Sequence, residues 1–181
     1  TKLVRALVFL TGAAGIADKP AVAAGVYTQN LVCAAPVLVD RQRTPSDQIR
    51  AVVVNSGNAN ACTGVIGLEH ATIMANATAA ALGLDPAEVQ VCSTGIIGLT
   101  MPIEKIESRV PELVEGLQKA DEDVARAIMT SDTKPKSCAV EYTDSDGKTI
   151  RIGAIAKGAG MINPRMATML CFVTTDVAIV K

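Results

Sequence analysis

CAVEYTDSDGKTIRIGAI, residues 138–155, is the stretch on which the fold class turns. Apolar and polar residues alternate on both sides of Asp146-Gly147, a pair favoured in tight turns, so the segment reads as a β-hairpin. Upstream lie helical patterns, and further upstream several short strands. Strands first, helices next and a hairpin after them suggest layered α+β architecture more than regular βαβ alternation.

Working back towards the N-terminus, DEDVARAIMTSD (121–132) reads as a short helix with acidic residues near its start. Pro102–Gln118 reads as an amphipathic helix kinked or divided at Pro111. VQVCSTGIIG (89–98) is a strand ending in a tight turn, and Leu68–Leu82 is an alanine-rich helix stopped by Gly83. LVRALVFL (3–10), AVAAGVYT (21–28), APVLVD (35–40) and AVVVN (51–55) read as strands, the last followed by a small-residue loop, SGNANACTG. Working forward, CFVTTDVAIV (171–180) is a further strand. The 181 residues suit one domain, 1–181, without repeats or a low-complexity linker.

Composition narrows the function classes. Apolar residues are 49% and charged residues 19%, which marks a globular chain. Aromatics are only 2%, so the core is to be packed from Ala, Val, Ile, Leu and Met. A net charge of −1 gives no electrostatic footprint for nucleic acid or an anionic membrane. No apolar run reaches the ~20 residues that span a bilayer, and the opening segment reads as a strand, not a signal peptide. The five cysteines, Cys33, Cys62, Cys92, Cys138 and Cys171, form no CxxC pair, and His70 is the only histidine. No metal site is expected, and the thiols read as buried and reduced in a cytosolic protein. There is no GxGxxG and no GxxxxGK[ST], so nucleotide binding has no motif support.

Acyl chemistry has candidates. Ser93-Thr94-Gly95 at a strand end can offer a hydroxyl beside a backbone N–H, a donor pair suited to an oxyanion; an ordinary turn is the plainer reading. MTSDTKPK (129–136) carries three hydroxyls at a helix end, where solvated capping is the plainer reading. Lys157 follows an apolar strand and precedes Gly158 and Gly160. It reads either as an exposed lysine at a strand end or as one entering a pocket to meet a carboxylate. With no histidine placed near a serine, a nucleophile independent of histidine is favoured. A threonine whose own α-amine is the base meets that need, and the amine exists only after cleavage before it. Ala167-Thr168 sits in KGAGMINPRMATML (157–170), between a glycine-rich turn and an apolar strand.

Four segments in order, NSGNANACTG, STGIIG, AIMTSDTKPK and KGAGMINPRMATML, make the chain similar to the ornithine acetyltransferase family, the bifunctional glutamate/ornithine N-acetyltransferases of arginine biosynthesis. The likeness runs from about AAGVYTQN at Ala23 to the C-terminus. It implies an α-β-β-α sandwich and self-cleavage at Ala167-Thr168, giving an α chain of 1–167 and a β chain starting with 168–181. Thr168 would then carry acetyl from N2-acetylornithine to glutamate. In family terms Thr94 and Gly95 form the oxyanion hole, and Thr130, Lys157 and Thr168 contact substrate. The likeness implies no cofactor; acetyl-CoA is a candidate second acyl donor. It also implies a cytoplasmic α2β2 assembly, and a further β-chain segment that completes the pocket. Ser131 stands where the family commonly has Thr. Two other readings stay open: a related self-processing aminopeptidase or amidase with water as acceptor, and a truncated inactive domain.

Overall fold

The computed structural model describes residues 5–10, 20–117, 123–161, 166 and 168–177. β1 (Arg5–Leu10) pairs antiparallel with β4 (Ala51–Asn58), and β4 pairs parallel with β5 (Val89–Ile96). The link between the parallel strands is α2 (Gly64–Leu82) with a short 3-10 helix at Pro86–Glu88. One βαβ unit is therefore embedded in the α+β fold. Gly83 ends α2 in the left-handed conformation (φ 68°), as the sequence leads one to expect. A small antiparallel pair joins β2 (Ala21–Ala23) and β3 (Ser46–Ile49). The strand expected over 21–28 is thus only its first part, and β3 was not foreseen.

APVLVD does not form a strand. It opens α1 (Ala35–Arg43). Pro36 occupies the first turn, where a missing N–H costs nothing, and Arg41 and Arg43 sit in the last turn, where cations are favoured. Burial follows a helix: Ala35, Pro36, Val39 and Asp40 are inside, while Leu38 is exposed. The helix expected over 102–118 is divided into α3 (Ile103–Glu107) and α4 (Val110–Gly116), with Pro111 in the first turn of the second. α5 (Asp123–Ala127) follows.

The hairpin forms as read. β6 (Lys136–Thr143) and β7 (Thr149–Lys157) pair antiparallel, and Asp144 anchors the turn by accepting from the amides of Asp146 and Lys148, each at 2.9 Å. Gly147 supplies the positive φ of 80°. β8 (Leu170–Thr175) completes this second sheet on the other edge of β7.

β4 explains the layering. Ala51 and Val53 face one core with Met74, Ala75 and Ala79 of α2, while Val52 and Val54 face another with Ile128, Ile155, Leu170 and Phe172. A strand covered on both faces reads as a continuous apolar run, which AVVVN is. The layers are helices, first sheet, second sheet. No described helix covers the outer face of the second sheet, where Val140, Tyr142 and Val173 are exposed. That face also accounts for two cysteines. Cys138 and Cys171 lie on it and Cys62 in a loop, all exposed, so the expectation of buried thiols is wrong for these three; Cys33 is half-buried and Cys92 packs against the second core. The five thiols are free. No described helix is long and apolar enough to cross a membrane, and no metal-binding cluster occurs among the described residues.

Candidate active site

The asparagines at the end of β4 and in the loop after it form a brace. Asn55 Nδ2 donates to the Asn58 carbonyl (2.8 Å), Asn58 Nδ2 to the Leu99 carbonyl (3.0 Å), and Asn60 Nδ2 to the Gly67 carbonyl (2.8 Å). Backbone bonds from Ala59 N to Ile96 O and from Gly98 N to Ala61 O, both 2.9 Å, stitch the loops after β4 and β5 together. Asn60 takes a positive φ of 47°, which asparagine tolerates better than most residues. The result holds the ends of two parallel strands side by side, with Ser56 opposite Thr94 and Gly57 opposite Gly95. Gly95 has φ 135°, and a Cβ there would lie 2.2 Å from the Gly57 carbonyl carbon. Only glycine permits this approach.

Lys157 ends β7 and is 5% exposed. The plain reading of a solvated lysine at a strand end is overturned, because the side chain turns inward to two hydroxyls from other segments. Its Nζ donates to Thr94 Oγ1 at 3.0 Å and to Thr130 Oγ1 at 2.8 Å. Three segments remote in sequence thus meet at one ammonium: the end of β5, the loop after α5, and the end of β7. Burial pushes the Lys157 pKa down, Asp132 opposes that, and Lys136 reinforces it. Within MTSDTKPK nothing in the sequence marks Asp132 or Lys136; the burial of Asp132 and its ion pair with Lys136 do. For Asp132, burial raises the pKa but is outweighed by Lys136 and by the amides of Gly158 and Thr130, leaving it at about 2. Ser56 adds a tether from β4, its Oγ donating to the Met129 carbonyl at 3.4 Å.

Thr168 is half-buried, in the turn that enters β8. Leu170 is the register partner of Lys157, so Thr168 stands two residues before the position paired with that lysine. Met166 nearby has a positive φ of 65°, uncommon for a residue other than glycine. Ala167 lies outside the described residues. Thr94, Thr130 and Lys157 are therefore in direct contact, with Gly95 adjacent to Thr94 in the chain and Thr168 brought to the same end of the second sheet by register. His70 is half-buried on α2, outside the segments that supply these side chains.

The ArgJ family model matches residues 12–181. The chain belongs to the ArgJ family. A relative described as arginine biosynthesis bifunctional protein ArgJ, from Geobacter sulfurreducens, is 55% identical over 163 residues, covering 90% of this chain and 41% of the relative. A protein described as glutamate N-acetyltransferase, from Methanothermobacter thermautotrophicus, is 47% identical over 165 residues, covering 90% and 41%. The ArgJ-family chain thus spans about two fifths of the length of the curated relatives it matches. Among solved structures, the bifunctional ArgJ protein of Bacillus halodurans superposes with a TM-score of 0.74 at 38% identity, over 82% of this chain and 78% of that one. The ornithine acetyltransferase of Mycobacterium tuberculosis, solved with ornithine, superposes with 0.71 at 43% identity, over 81% and 78%. The α+β fold is that of the ArgJ structures.

Proposed function

We propose that this ArgJ-family chain carries the acyl-transfer centre of a glutamate/ornithine N-acetyltransferase. Thr168 Oγ attacks the Ala167 carbonyl carbon, the peptide becomes an ester, and water hydrolyses it. Residues 1–167 then end in a carboxylate, and Thr168 begins a new chain with a free α-amine of reference pKa ~7.7–8.0. That amine takes the Oγ proton as the hydroxyl attacks N2-acetylornithine. Ornithine leaves with a proton, the acetyl ester remains on Thr168, and the amino group of glutamate takes the acetyl group. Acetyl-CoA is a candidate alternative donor for the same ester, and no metal or cofactor enters the scheme. A further segment of the full-length protein completes the pocket, and the cytoplasm and an α2β2 assembly are the proposed setting.

The observation that supports this reading best is the buried Lys157 with its two hydroxyl acceptors. An ammonium has three protons. Among the described residues two are taken by Thr94 and Thr130, which leaves one to meet the carboxylate of an amino-acid substrate. The bond to Thr94 also has a direction. With Nζ as donor, Thr94 Oγ1 is the acceptor, so the hydroxyl proton is free to point at a developing oxyanion beside the Gly95 amide.

The test uses the protein expressed from its complete gene. N-terminal sequencing should find a chain starting at Thr168, and labelled acetyl should pass from N-acetylornithine to glutamate. Thr168→Ala should abolish both, since one hydroxyl serves both. An uncut chain in an active preparation would sink the self-processing step. Hydrolysis of N-acetylornithine without transfer to glutamate would replace the reading with a hydrolase.

A further inference from the structure

Asp132 has no role in the scheme above, yet its side chain is completely buried. Its Oδ1 accepts from the Gly158 amide at 2.7 Å and from Lys136 Nζ at 2.5 Å. Its Oδ2 accepts from the Thr130 amide at 3.3 Å. Thr130 is the residue whose hydroxyl holds Lys157, and Gly158 is the residue that follows Lys157. One carboxylate therefore ties the loop after α5 to the end of β7, and both tied points govern the same ammonium group. We propose that Asp132 is a positioning residue that clips Thr130 and Gly158 together so that Lys157 meets substrate in one orientation.

The chemistry of the clip requires a carboxylate. Two backbone N–H groups and an ammonium all donate, and an ionised Asp accepts through both oxygens. Asparagine keeps one acceptor and turns an NH2 towards either Thr130 N or Gly158 N, leaving a buried amide unpaired. Among the described residues, the charged groups facing Lys157 are Asp132 from the loop and Lys136 from β6; β5 contributes only the Thr94 hydroxyl. Asp132 favours the charged lysine and Lys136 disfavours it. A residue that merely filled space would leave that balance alone.

The proposal rests on the acetyltransferase reading for its kinetic consequence but not for its electrostatic one. The experiment compares Asp132→Asn and Lys136→Ala in the protein expressed from its complete gene. Steady-state kinetics are measured, and the titration of Lys157 is followed through its 13Cε chemical shift. Asp132→Asn should raise KM for N-acetylornithine roughly tenfold to a hundredfold, with a smaller change in kcat. It should also move the Lys157 midpoint to lower pH, while Lys136→Ala moves it to higher pH. An unchanged KM with an unmoved midpoint in Asp132→Asn, or shifts of the same sign in both variants, would overturn the clip. Should Asp132→Asn fail to fold, Lys136→Ala alters a half-exposed side chain, and a midpoint that does not rise in it overturns the clip as well. A wild-type protein without transfer activity would remove the acetyltransferase reading while the titration still decides the role of Asp132.

Discussion

Gly95 shows what a single residue controls. At φ 135° it occupies backbone space that L side chains rarely enter, and an added Cβ would sit 2.2 Å from the Gly57 carbonyl carbon and 2.5 Å from its oxygen. Those are main-chain atoms of the neighbouring strand, so no side-chain rotation relieves the clash. Gly95→Ala is expected to cost about 3 kcal/mol or more in chemical denaturation, through conformational strain and forced separation of β4 from β5. Gly98 is the control. It also has a positive φ, 82°, but nothing lies within 4 Å of a Cβ there, so Gly98→Ala should cost only about 1–2 kcal/mol. Equal losses would argue against the close approach as the cause. The turn STG was legible as a possible donor pair from its residue types. The opposing Gly57 was not, because the closeness of two backbones is a property of strand pairing and leaves no local pattern.

At the scale of an element, α1 closes the open edge of β5. Asp40 Oδ1 accepts from the Val91 amide at 3.0 Å, and the Arg43 guanidinium donates to the Val89 carbonyl. The helix thus offers, through side chains, the acceptor and donor that another strand would supply through its backbone. Burial pushes the Asp40 carboxyl up to about 7, against the opposing effects of the Val91 amide and Arg43. Tyr27 and Cys92 also face it. The folded form therefore holds the proton more tightly than the unfolded chain, whose carboxyl titrates near ~3.9. Stability from this group is complete below the unfolded value and declines as pH rises from about 4 to about 7. Asp40→Asn should flatten the wild-type loss of stability across that window by about 2–4 kcal/mol, read from urea midpoints at pH 4.5 and 8. An identical pH slope in both proteins would show that Asp40 is ionised throughout. APVLVD reads as a strand from sequence because a short apolar run bounded by a loop satisfies both periods. The first sheet settled the choice: its exposed edge accepts a helix carrying Asp40 and Arg43 one turn apart.

For the whole molecule, the contact between the two sheets is what assembles the site. Ile128 is fully buried there, with Val52 and Val54 of β4 and Ile155, Leu170 and Phe172 of the second sheet around it. It precedes Thr130 and Asp132 by two and four residues, so the same packing seats their loop. Ile128→Ala should cost about 2–5 kcal/mol in unfolding free energy and raise KM in the protein that retains its fold. A stability loss with KM unchanged would mean that the loop is held independently of the core. The sequence by itself determined the helix stops, the hairpin about Asp146-Gly147, the apolar character of β4 and the four segments that mark the family. Each of these is written in neighbouring residues, by turn chemistry, capping or periodicity. Only the tertiary structure decided that Lys157 is buried, that Thr94, sixty-three residues away, and Thr130 share its protons, and that Asp132 grips both sides of it. The physical reason is that a charged group can remain buried only where partners from separate segments converge on it, and that convergence arises from the pairing of β7 with β8 and the stacking of one sheet on the other.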